Sequence, residues 1–144
     1  MGKDELMLAH ERNLSIDAAR SIRGRVVHGD KVGRTIGFPT ANMILNDQDK
    51  PAYGIYASRV TLTDGRILDG ATNFGVRPTF SPPKELLETY LFDFNEDIYD
   101  QEIDVELVHF LRPEAKFDDL PELISQMTRD CDAARTILLR MRND

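Results

Sequence analysis

The sequence predicts a mainly β protein: a small closed or nearly closed antiparallel barrel followed by a C-terminal helix. Three observations indicate this fold. Short segments in which apolar and polar residues alternate recur from residue 21 onward, as the strands of small barrels do. An Asp64-Gly65 pair separates two of these segments, and Asp-Gly is a strong hairpin signal. Residues 123–141 instead repeat apolar residues at helical spacing.

The strands can be taken in order. The first is marked by branched apolar residues, namely Ile22, Val26 and Val27. The second covers residues 54–62 and turns at Asp64-Gly65, after which Ile67 and Leu68 begin another strand.

Two later segments alternate cleanly. In residues 88–94 we expect one face to carry Tyr90, Phe92 and Phe94, and the other Thr89, Leu91 and Asp93. In residues 102–111 we expect one face to carry Ile103, Val105, Leu107 and His109, and the other Asp104, Glu106, Val108 and Phe110. Strands of this kind have one buried and one solvated face.

The helix has a clear start. Asp118 or Asp119 can cap it, Pro121 is tolerated in a first turn, and Glu122 follows Asp119 at capping-box spacing. The apolar stripe consists of Leu123, Met127, Ala134, Leu138 and Met141, widened by Ile124, Cys131 and Ile137. We expect this stripe to pack on the barrel and plug an end, although a partner-binding face is an alternative.

Composition limits the classes of protein to which the chain can belong. The chain has 144 residues, 41% hydrophobic and 30% charged, as expected of a soluble globular domain. We expect a barrel domain at 21–144 and a leader, flexible or a short helix, at 1–20. No segment reads as a membrane span or signal peptide. The single cysteine, Cys131, excludes an intramolecular disulfide, fits a cytoplasmic location and is interpreted as a packing residue.

Charge argues against nucleic-acid binding, because the net charge is −7 at pH 7. The charge is unevenly distributed. Residues 20–42 are the most basic part of the chain, and residues 85–106 hold nine acids and no base. That acidic segment is either the solvated faces of strands or a surface that attracts magnesium.

A glycine-rich segment is the main candidate site. Gly29, Gly33 and Gly37 recur every four residues, with Lys31 and Arg34 between them. Unhindered backbone N–H groups beside fixed positive charge can hold phosphate, although ordinary surface turns have a similar composition. We expect a site loop here, not a packed element.

The end of this loop is stiffer. Pro39 fixes its own φ and favours an extended Phe38, so Thr40 and Asn42 project from a rigid backbone on the same side. A hydroxyl and an amide oxygen are hard neutral ligands that suit a magnesium ion shared with phosphates.

Several blocks together resemble the riboflavin kinase family, in particular the kinase module of bacterial riboflavin kinase/FAD synthetases. They are Gly-Arg-Val-Val-His-Gly-Asp at 24–30, Gly-Arg at 33–34, Gly-Phe-Pro-Thr-Ala-Asn at 37–42, Tyr-Gly-Ile-Tyr-Ala at 53–57, Asn-Phe-Gly-Val-Arg-Pro-Thr-Phe at 73–80, Glu-Thr-Tyr-Leu-Phe-Asp-Phe at 88–94, Leu-Arg at 111–112 and Lys-Phe at 116–117, before a helix with Asp130. The resemblance covers about residues 21–140, in the family's order.

The resemblance implies a six-stranded Greek-key barrel that uses ATP and Mg²⁺ to convert riboflavin to FMN. Thr40 and Asn42 would bind magnesium and the ATP phosphates, and the loop glycines and Pro39 would complete the nucleotide site. Glu88 would be the general base. Arg112 and Phe117 would contact the flavin. The substrates would be small molecules, with no nucleic-acid or membrane partner, and the protein a monomer or weak oligomer.

The family's adenylyltransferase domain should be absent, since 20 residues cannot encode it and no His-x-Gly-His signature occurs. An alternative function is a catalytically weakened barrel that binds flavin or nucleotide as a sensor. Two departures from the family pattern stand out. Tyr90 replaces a usual His, and Asp100-Gln101 replaces Gly-Lys in a hairpin that needs positive φ.

Other interpretations remain open for single residues. Glu88 could be an exposed acid at a strand end, and Arg112 an ordinary salt-bridge partner. Phe117 could be a hydrophobic staple. Asn73 and Arg77 belong either to the site or to a turn that closes a barrel corner. His28 is interpreted as structural.

Overall fold

The structure, a computed structural model, describes residues 20–28, 37–45, 50–77 and 82–143. Six strands precede one long helix in this part of the chain. The strands are β1 (Arg20–Arg25), β2 (Ala41–Ile44), β3 (Gly54–Thr61), β4 (Ile67–Arg77), β5 (Lys84–Leu91) and β6 (Glu102–Arg112), and the helix is α1 (Leu120–Asn143). No helix among the described residues is long and apolar enough to cross a membrane.

The six strands form one antiparallel sheet in the order β1-β6-β3-β4-β5-β2. Val27, just after β1, forms a bridge with Asn42 of β2, where the Val27 N–H donates to the Asn42 carbonyl at 2.8 Å. This bridge joins the two edge strands, so the sheet is a nearly closed barrel. The predicted fold class, a mainly β barrel with a C-terminal helix, is confirmed.

The barrel interior is filled by branched and aromatic side chains from every strand. Its buried members include Ile22, Met43, Tyr56, Val60, Phe74, Leu87, Ile103, Val105 and Leu107. These residues alternate with outward-facing ones along each strand, as the pleat requires. The interior is therefore a packed core, and ligand sites must lie at the ends or on the outside of the barrel.

The alternation predicted for residues 102–111 holds only as far as Leu107. Ala57 of β3 pairs with His109 and Ser58 with Leu107, so Val108 is an extra residue in a β-bulge. The bulge reverses the faces that follow it. His109 is exposed, whereas Phe110 packs against the interior core.

Strand β5 begins and ends earlier than predicted, because it covers Lys84–Leu91 and not residues 88–94. Asp93 has a positive φ of 55°, which ends the extended conformation. Phe92 therefore packs in the cluster under the helix, while Phe94 packs against the barrel interior. The prediction that these two rings share one face is wrong for Phe94.

Strand β2 was not predicted. Ala41–Ile44 pairs with β5, and Asn42 and Met43 are buried. The interpretation of this segment as a loop is wrong from residue 41 onward. The local sequence lacks clear alternation, and pairing with a strand more than 40 residues away decides its conformation.

Helix α1 packs on the outside of the barrel, against β3, β4 and β6, and not in an open end. Cys131, Ala134 and Leu138 lie against Ala57 and Phe92 in a second apolar cluster. These are three of the eight residues of the predicted stripe, and four more are half-buried, namely Leu123, Ile124, Met127 and Ile137. Met141 is 45% exposed, so the stripe does not extend to the last turn.

The cap of the helix is as predicted. The Asp119 carboxylate accepts a hydrogen bond from the Glu122 N–H at 2.8 Å, and the Glu122 carboxylate accepts one from the Asp118 N–H at 3.4 Å. The first bond satisfies a backbone donor that the first helical turn would otherwise leave unpaired, and the second ties the residue before the cap to that turn. The helix therefore begins at a fixed point beside the end of β6.

Two turns differ in chemistry. Gly65 has φ of 91° in the Asp64-Gly65 turn, and the Leu62 N–H donates to the Arg66 carbonyl at 2.9 Å, which confirms the predicted hairpin. The turn before β6 is not the expected hairpin, since β5 and β6 are not neighbours in the sheet, and in it Asp100 takes φ of 66° without being glycine. The turn thus forms despite the family departure, at a cost in backbone strain.

Candidate active site

A cavity of about 320 Å³ opens between β4, β5 and the first half of α1. Four of the residues that the sequence singled out line it, namely Thr40, Glu88, Arg112 and Phe117. Glu88 and Arg112 belong to β5 and β6, Thr40 directly precedes β2, and Phe117 belongs to the segment before the helix. The barrel therefore brings together side chains that are far apart in the sequence.

The positions of these residues follow from strand register. Asn42 of β2 is opposite Glu88 of β5, and Glu88 is opposite Asn73 of β4. Asn73 is opposite Ile55 of β3, which is opposite Arg112 of β6. Opposed residues in a ladder project from the same face of the sheet. One row across five strands thus carries the predicted magnesium ligand Asn42, the predicted base Glu88 and the predicted flavin contact Arg112.

Thr40 and Asn42 hold each other in place. The Thr40 hydroxyl donates to Asn42 Oδ1 at 3.2 Å, and the Asn42 Nδ2 group donates to the Thr40 carbonyl at 3.3 Å. Asn42 is only 4% exposed. Two oxygen ligands in adjacent positions around Mg²⁺ lie about 3.0 Å apart, given Mg–O distances of about 2.1 Å. The spacing of these two oxygens fits that requirement.

The part of the chain that the structure describes holds no group of three or more His, Cys, Asp or Glu side chains arranged to bind a metal. An ion held by Thr40 and Asn42 would have further coordination positions for phosphate or water oxygens. That is the usual coordination of magnesium beside nucleotides.

Glu88 lies in the middle of β5, and its side chain is 11% exposed. The alternative of an exposed acid at a strand end is therefore wrong. Its carboxylate is ion-paired with Arg77, at the end of β4. Arg77 also lies 3.4 Å from the Glu114 carboxylate. A carboxylate that faces a cavity and is fixed by a cation can act on a bound ligand.

Asn73 and Arg77, which the sequence left open, both line the cavity. Asn73 Oδ1 is buried and accepts no hydrogen bond among the described residues. Pro78 and Thr79, the rest of that block, lie outside the described residues. Asn73 and Arg77 thus lie at the cavity, although no local signal in the sequence distinguishes them from residues of a turn.

The Arg112 side chain is held in place by Asp130 of helix α1. Its guanidinium donates to both carboxylate oxygens of Asp130, at 2.9 and 2.7 Å, and Gln126 donates to the same carboxylate at 2.9 Å. The guanidinium carbon lies 5.9 Å from the centre of the Phe117 ring. Arg112 therefore forms a salt bridge, as one of the two interpretations expected. Its side chain also lines the cavity. The sequence did not indicate that Asp130 pairs with Arg112, since the pair joins a strand and a helix that are separated in the chain.

A second cavity of about 450 Å³ lies on the other side of Thr40. It is lined in part by Pro39, Phe94, Glu96 and Tyr99. Thr40 lines both cavities. No pattern in the sequence predicted that residues 94–99 line a cavity.

Part of the predicted phosphate loop, Gly29, Lys31, Gly33 and Arg34, lies outside the described residues. Gly37 has φ of 93°, a conformation that glycine adopts at much lower cost than other residues. His28 stacks on Tyr99, with ring centroids 3.8 Å apart, in agreement with a structural role.

Cys131 is buried in the cluster under the helix. Burial, together with the negative charge of Asp130, raises the pKa of its thiol to about 11. The thiol is therefore protonated at neutral pH, which agrees with a packing residue and not with a nucleophile.

The family model and the curated relatives that match this chain indicate one family. Residues 17–138 match the family model described as flavokinase, riboflavin kinase. A bifunctional riboflavin kinase/FMN adenylyltransferase of Haemophilus influenzae is 44% identical over 135 residues, which make up 94% of this chain and 43% of that protein. The chain thus spans less than half the length of the curated relatives it matches.

Two solved structures share the fold. A crystal structure described as a macrolide-efflux protein from Streptococcus pneumoniae has a TM-score of 0.72 and 35% identity, over 80% of this chain and 38% of that chain. Riboflavin kinase from Trypanosoma brucei has a TM-score of 0.59 and 22% identity, over 83% of this chain and 79% of that chain. The second is a likeness of fold alone.

Proposed function

Because the chain belongs to the riboflavin kinase family, we propose that it transfers the γ-phosphoryl group of ATP to the terminal ribityl hydroxyl of riboflavin, which produces FMN and ADP. The observation that supports this most strongly is the shared cavity of Thr40, Glu88 and Arg112. Phosphoryl transfer needs an ion-binding corner, a base and an acceptor site within a few ångströms of one another.

Glu88 is proposed as the general base. It takes the proton of the ribityl hydroxyl as that oxygen forms a bond to the γ-phosphorus. The bond between the γ-phosphorus and the bridging oxygen of ADP breaks, and ADP leaves with the electron pair. The low exposure of Glu88 keeps bulk water away from the carboxylate, and its place on a strand fixes its direction.

Thr40 and Asn42 are proposed to hold Mg²⁺ and the ATP phosphates. Magnesium, when bound, neutralises phosphate charge and aligns the oxygens for transfer. The chain supplies a hydroxyl and an amide oxygen whose mutual hydrogen bond keeps them at a suitable separation. The loop glycines Gly29, Gly33 and Gly37, with Lys31 and Arg34, would add phosphate contacts, and Pro39 would keep the corner rigid.

The cavity beside Arg112 and Phe117 is proposed to hold the flavin. Its volume is at the lower end of the range for small-molecule sites. The Arg112 guanidinium lies over the Phe117 ring, and either group can pack on a planar ligand. The cavity on the other side of Thr40 would then hold the nucleotide. In this arrangement the two substrates meet at Thr40 and Glu88.

Incubation of the purified chain with riboflavin and Mg-ATP, followed by chromatography, tests the proposal. We expect FMN and ADP in equal amounts, and neither when EDTA removes the metal. Quenching of riboflavin fluorescence without FMN formation would contradict the proposal and support a flavin-binding barrel without catalysis. A Glu88→Gln variant in the same assay separates this activity from that of a contaminating kinase.

A further inference from the structure

Asn73 carries a buried polar atom that the fold does not use. Its side chain lines the cavity of the candidate site, and its Oδ1 atom is buried. None of the residues that the structure describes donates a hydrogen bond to this atom. Folded proteins pair nearly all of their buried polar atoms, because an unpaired one loses its contact with water and gains nothing in return. The free acceptor therefore points to a donor that arrives with a ligand.

The strongest donors around the cavity are already engaged elsewhere. Arg77 is ion-paired with Glu88, and Arg112 donates to both carboxylate oxygens of Asp130. Charge-assisted pairs of this kind are stronger than a hydrogen bond to a neutral amide. Neither guanidinium is therefore available to satisfy Asn73, and the amide stays free for a bound molecule.

The position of Asn73 along β4 indicates which part of a ligand would meet it. Ala71, Asn73 and Arg77 alternate onto the same face of the strand, and all three line the cavity. Ala71 packs with the apolar cluster under the helix, whereas Arg77 pairs with Glu88. Asn73 thus lies where the apolar part of the cavity meets its charged part. A ligand with its ring system in the apolar part and its reacting group at Glu88 has its connecting chain beside Asn73.

We propose that Asn73 is a binding residue that selects a hydroxylated chain, by a hydrogen bond from its amide to a secondary hydroxyl of the ribityl group of riboflavin. This inference rests on the proposed function, in which Glu88 acts on the terminal hydroxyl of the same chain. Asn73 and Glu88 are directly opposite each other in the β4–β5 ladder, which places their Cβ atoms about 5 Å apart. The hydroxyl that Asn73 binds is therefore on a carbon close to the reacting end.

A hydroxyl is the ligand group that suits an amide best. It can donate to the amide oxygen or accept from the amide nitrogen, so it satisfies either side of the Asn73 head group. A plain hydrocarbon chain in the same place would leave the amide buried and unpaired. A site built to bind a hydroxyl rejects an analogue without it for this reason. Asn73 would thus favour riboflavin over flavins that carry a simple alkyl alcohol.

The test compares two ligands in the wild type and in Asn73→Leu. One ligand is riboflavin, and the other is the flavin analogue with an unbranched hydroxypentyl chain, which keeps the terminal alcohol and lacks the secondary hydroxyls. Quenching of flavin fluorescence gives the Kd of each. The wild type should bind riboflavin about 10–100-fold more tightly than the analogue. Asn73→Leu should bind riboflavin about tenfold more weakly, yet bind the analogue more tightly than the wild type does.

Two further variants serve as controls. Asn73→Ser keeps a polar side chain that is too short to reach the ligand, so it should weaken riboflavin binding without improving that of the analogue, and it allows the test if Asn73→Leu does not fold. Asp69→Asn alters the same face of β4 outside the cavity, where Asp69 pairs with Arg142. It should leave the ratio of the two affinities unchanged.

The fluorescence titration needs neither ATP nor turnover, which keeps this inference separate from the proposed function. A wild type that binds riboflavin but makes no FMN refutes the kinase proposal, and the two affinities still decide the role of Asn73. Opposite changes for the two ligands in Asn73→Leu support the inference, since a general loss of structure would weaken both. Equal losses for both ligands, or a wild type that binds them equally well, would overturn it.

Discussion

Asn42 and Glu88 are directly opposite each other in the antiparallel ladder of β2 and β5. They are 46 positions apart in the sequence, yet opposed ladder residues have Cβ atoms about 5 Å apart. The proposed ion-binding corner and the proposed base are therefore neighbours on adjacent strands. An arrangement built on paired backbones keeps a fixed spacing, which the alignment of reacting groups requires.

The first prediction concerns Glu88. Glu88→Gln removes the proposed base but keeps the shape of the side chain, so kcat should fall by about 10²–10⁴-fold while Mg-ATP binding stays nearly unchanged. Steady-state kinetics and calorimetric titration measure the two effects. Glu85→Gln is the matched control, since Glu85 is on the same strand but pairs with Lys50 and Tyr53 instead. Near-normal turnover in Glu88→Gln would exclude the assignment.

The second prediction concerns Thr40. Thr40→Ala deletes one of the two proposed magnesium ligands, so the Kd for Mg-ATP should rise by about 10–100-fold. Thr40→Ser keeps the hydroxyl and should retain most of the affinity. Isothermal titration with Mg-ATP, repeated with ATP in EDTA, gives both values. If Ala and Ser variants bind Mg-ATP equally well, the hydroxyl is not a ligand.

The third prediction concerns the Arg112–Asp130 pair. Asp130→Asn leaves a partly buried guanidinium without its counter-charge, which should cost about 3 kcal/mol of unfolding free energy and weaken riboflavin binding. Urea denaturation and flavin fluorescence titration measure these effects. Glu96→Gln breaks a similar two-contact pair with Arg66 on the surface and should cost much less, because water screens an exposed pair. Equal losses in the two variants would contradict the argument from burial.

The fourth prediction concerns Cys131. Burial and Asp130 raise its thiol pKa to about 11, and only the thiolate reacts with alkylating agents. Iodoacetamide at pH 8 should therefore modify the native protein at least about a hundredfold more slowly than the unfolded chain. The rate should rise as pH approaches 11. Mass spectrometry over time decides the matter, and rapid labelling of the folded protein at neutral pH would disprove it.

The fifth prediction concerns backbone strain in the turn before β6. Asp100 has φ of 66°, so Asp100→Gly should stabilise the protein by about 0.5–1 kcal/mol. Gly65→Ala is the reverse experiment at φ of 91°, where open space leaves conformation as the only penalty, and it should destabilise by about 1–2 kcal/mol. Chemical denaturation of both variants checks the opposite signs. A loss of stability in Asp100→Gly would show that the aspartate makes a contact worth more than its strain.

Local chemistry made several features predictable from sequence. The cap by Asp119 and Glu122 and the turn at Asp64-Gly65 depend on residues within one turn of each other, and both are as predicted. Thr40, Glu88 and Arg112 were identified from short motifs, and all three line one cavity. Strand β2 and the bulge at Val108 were missed, because each depends on pairing with a distant strand.

The sequence by itself determined the β class and the start of the helix and supplied the proposed site residues, since alternation, capping and short motifs are properties of neighbouring residues. Only the tertiary structure decided that Asn42, Glu88 and Asn73 form one row. It also decided that Arg77 reaches Glu88 and Glu114, and that Asp130 holds Arg112. The reason is physical: strand order and register join segments that are far apart in the chain, and a bulge or a displaced strand end changes which side chains meet without altering any local pattern.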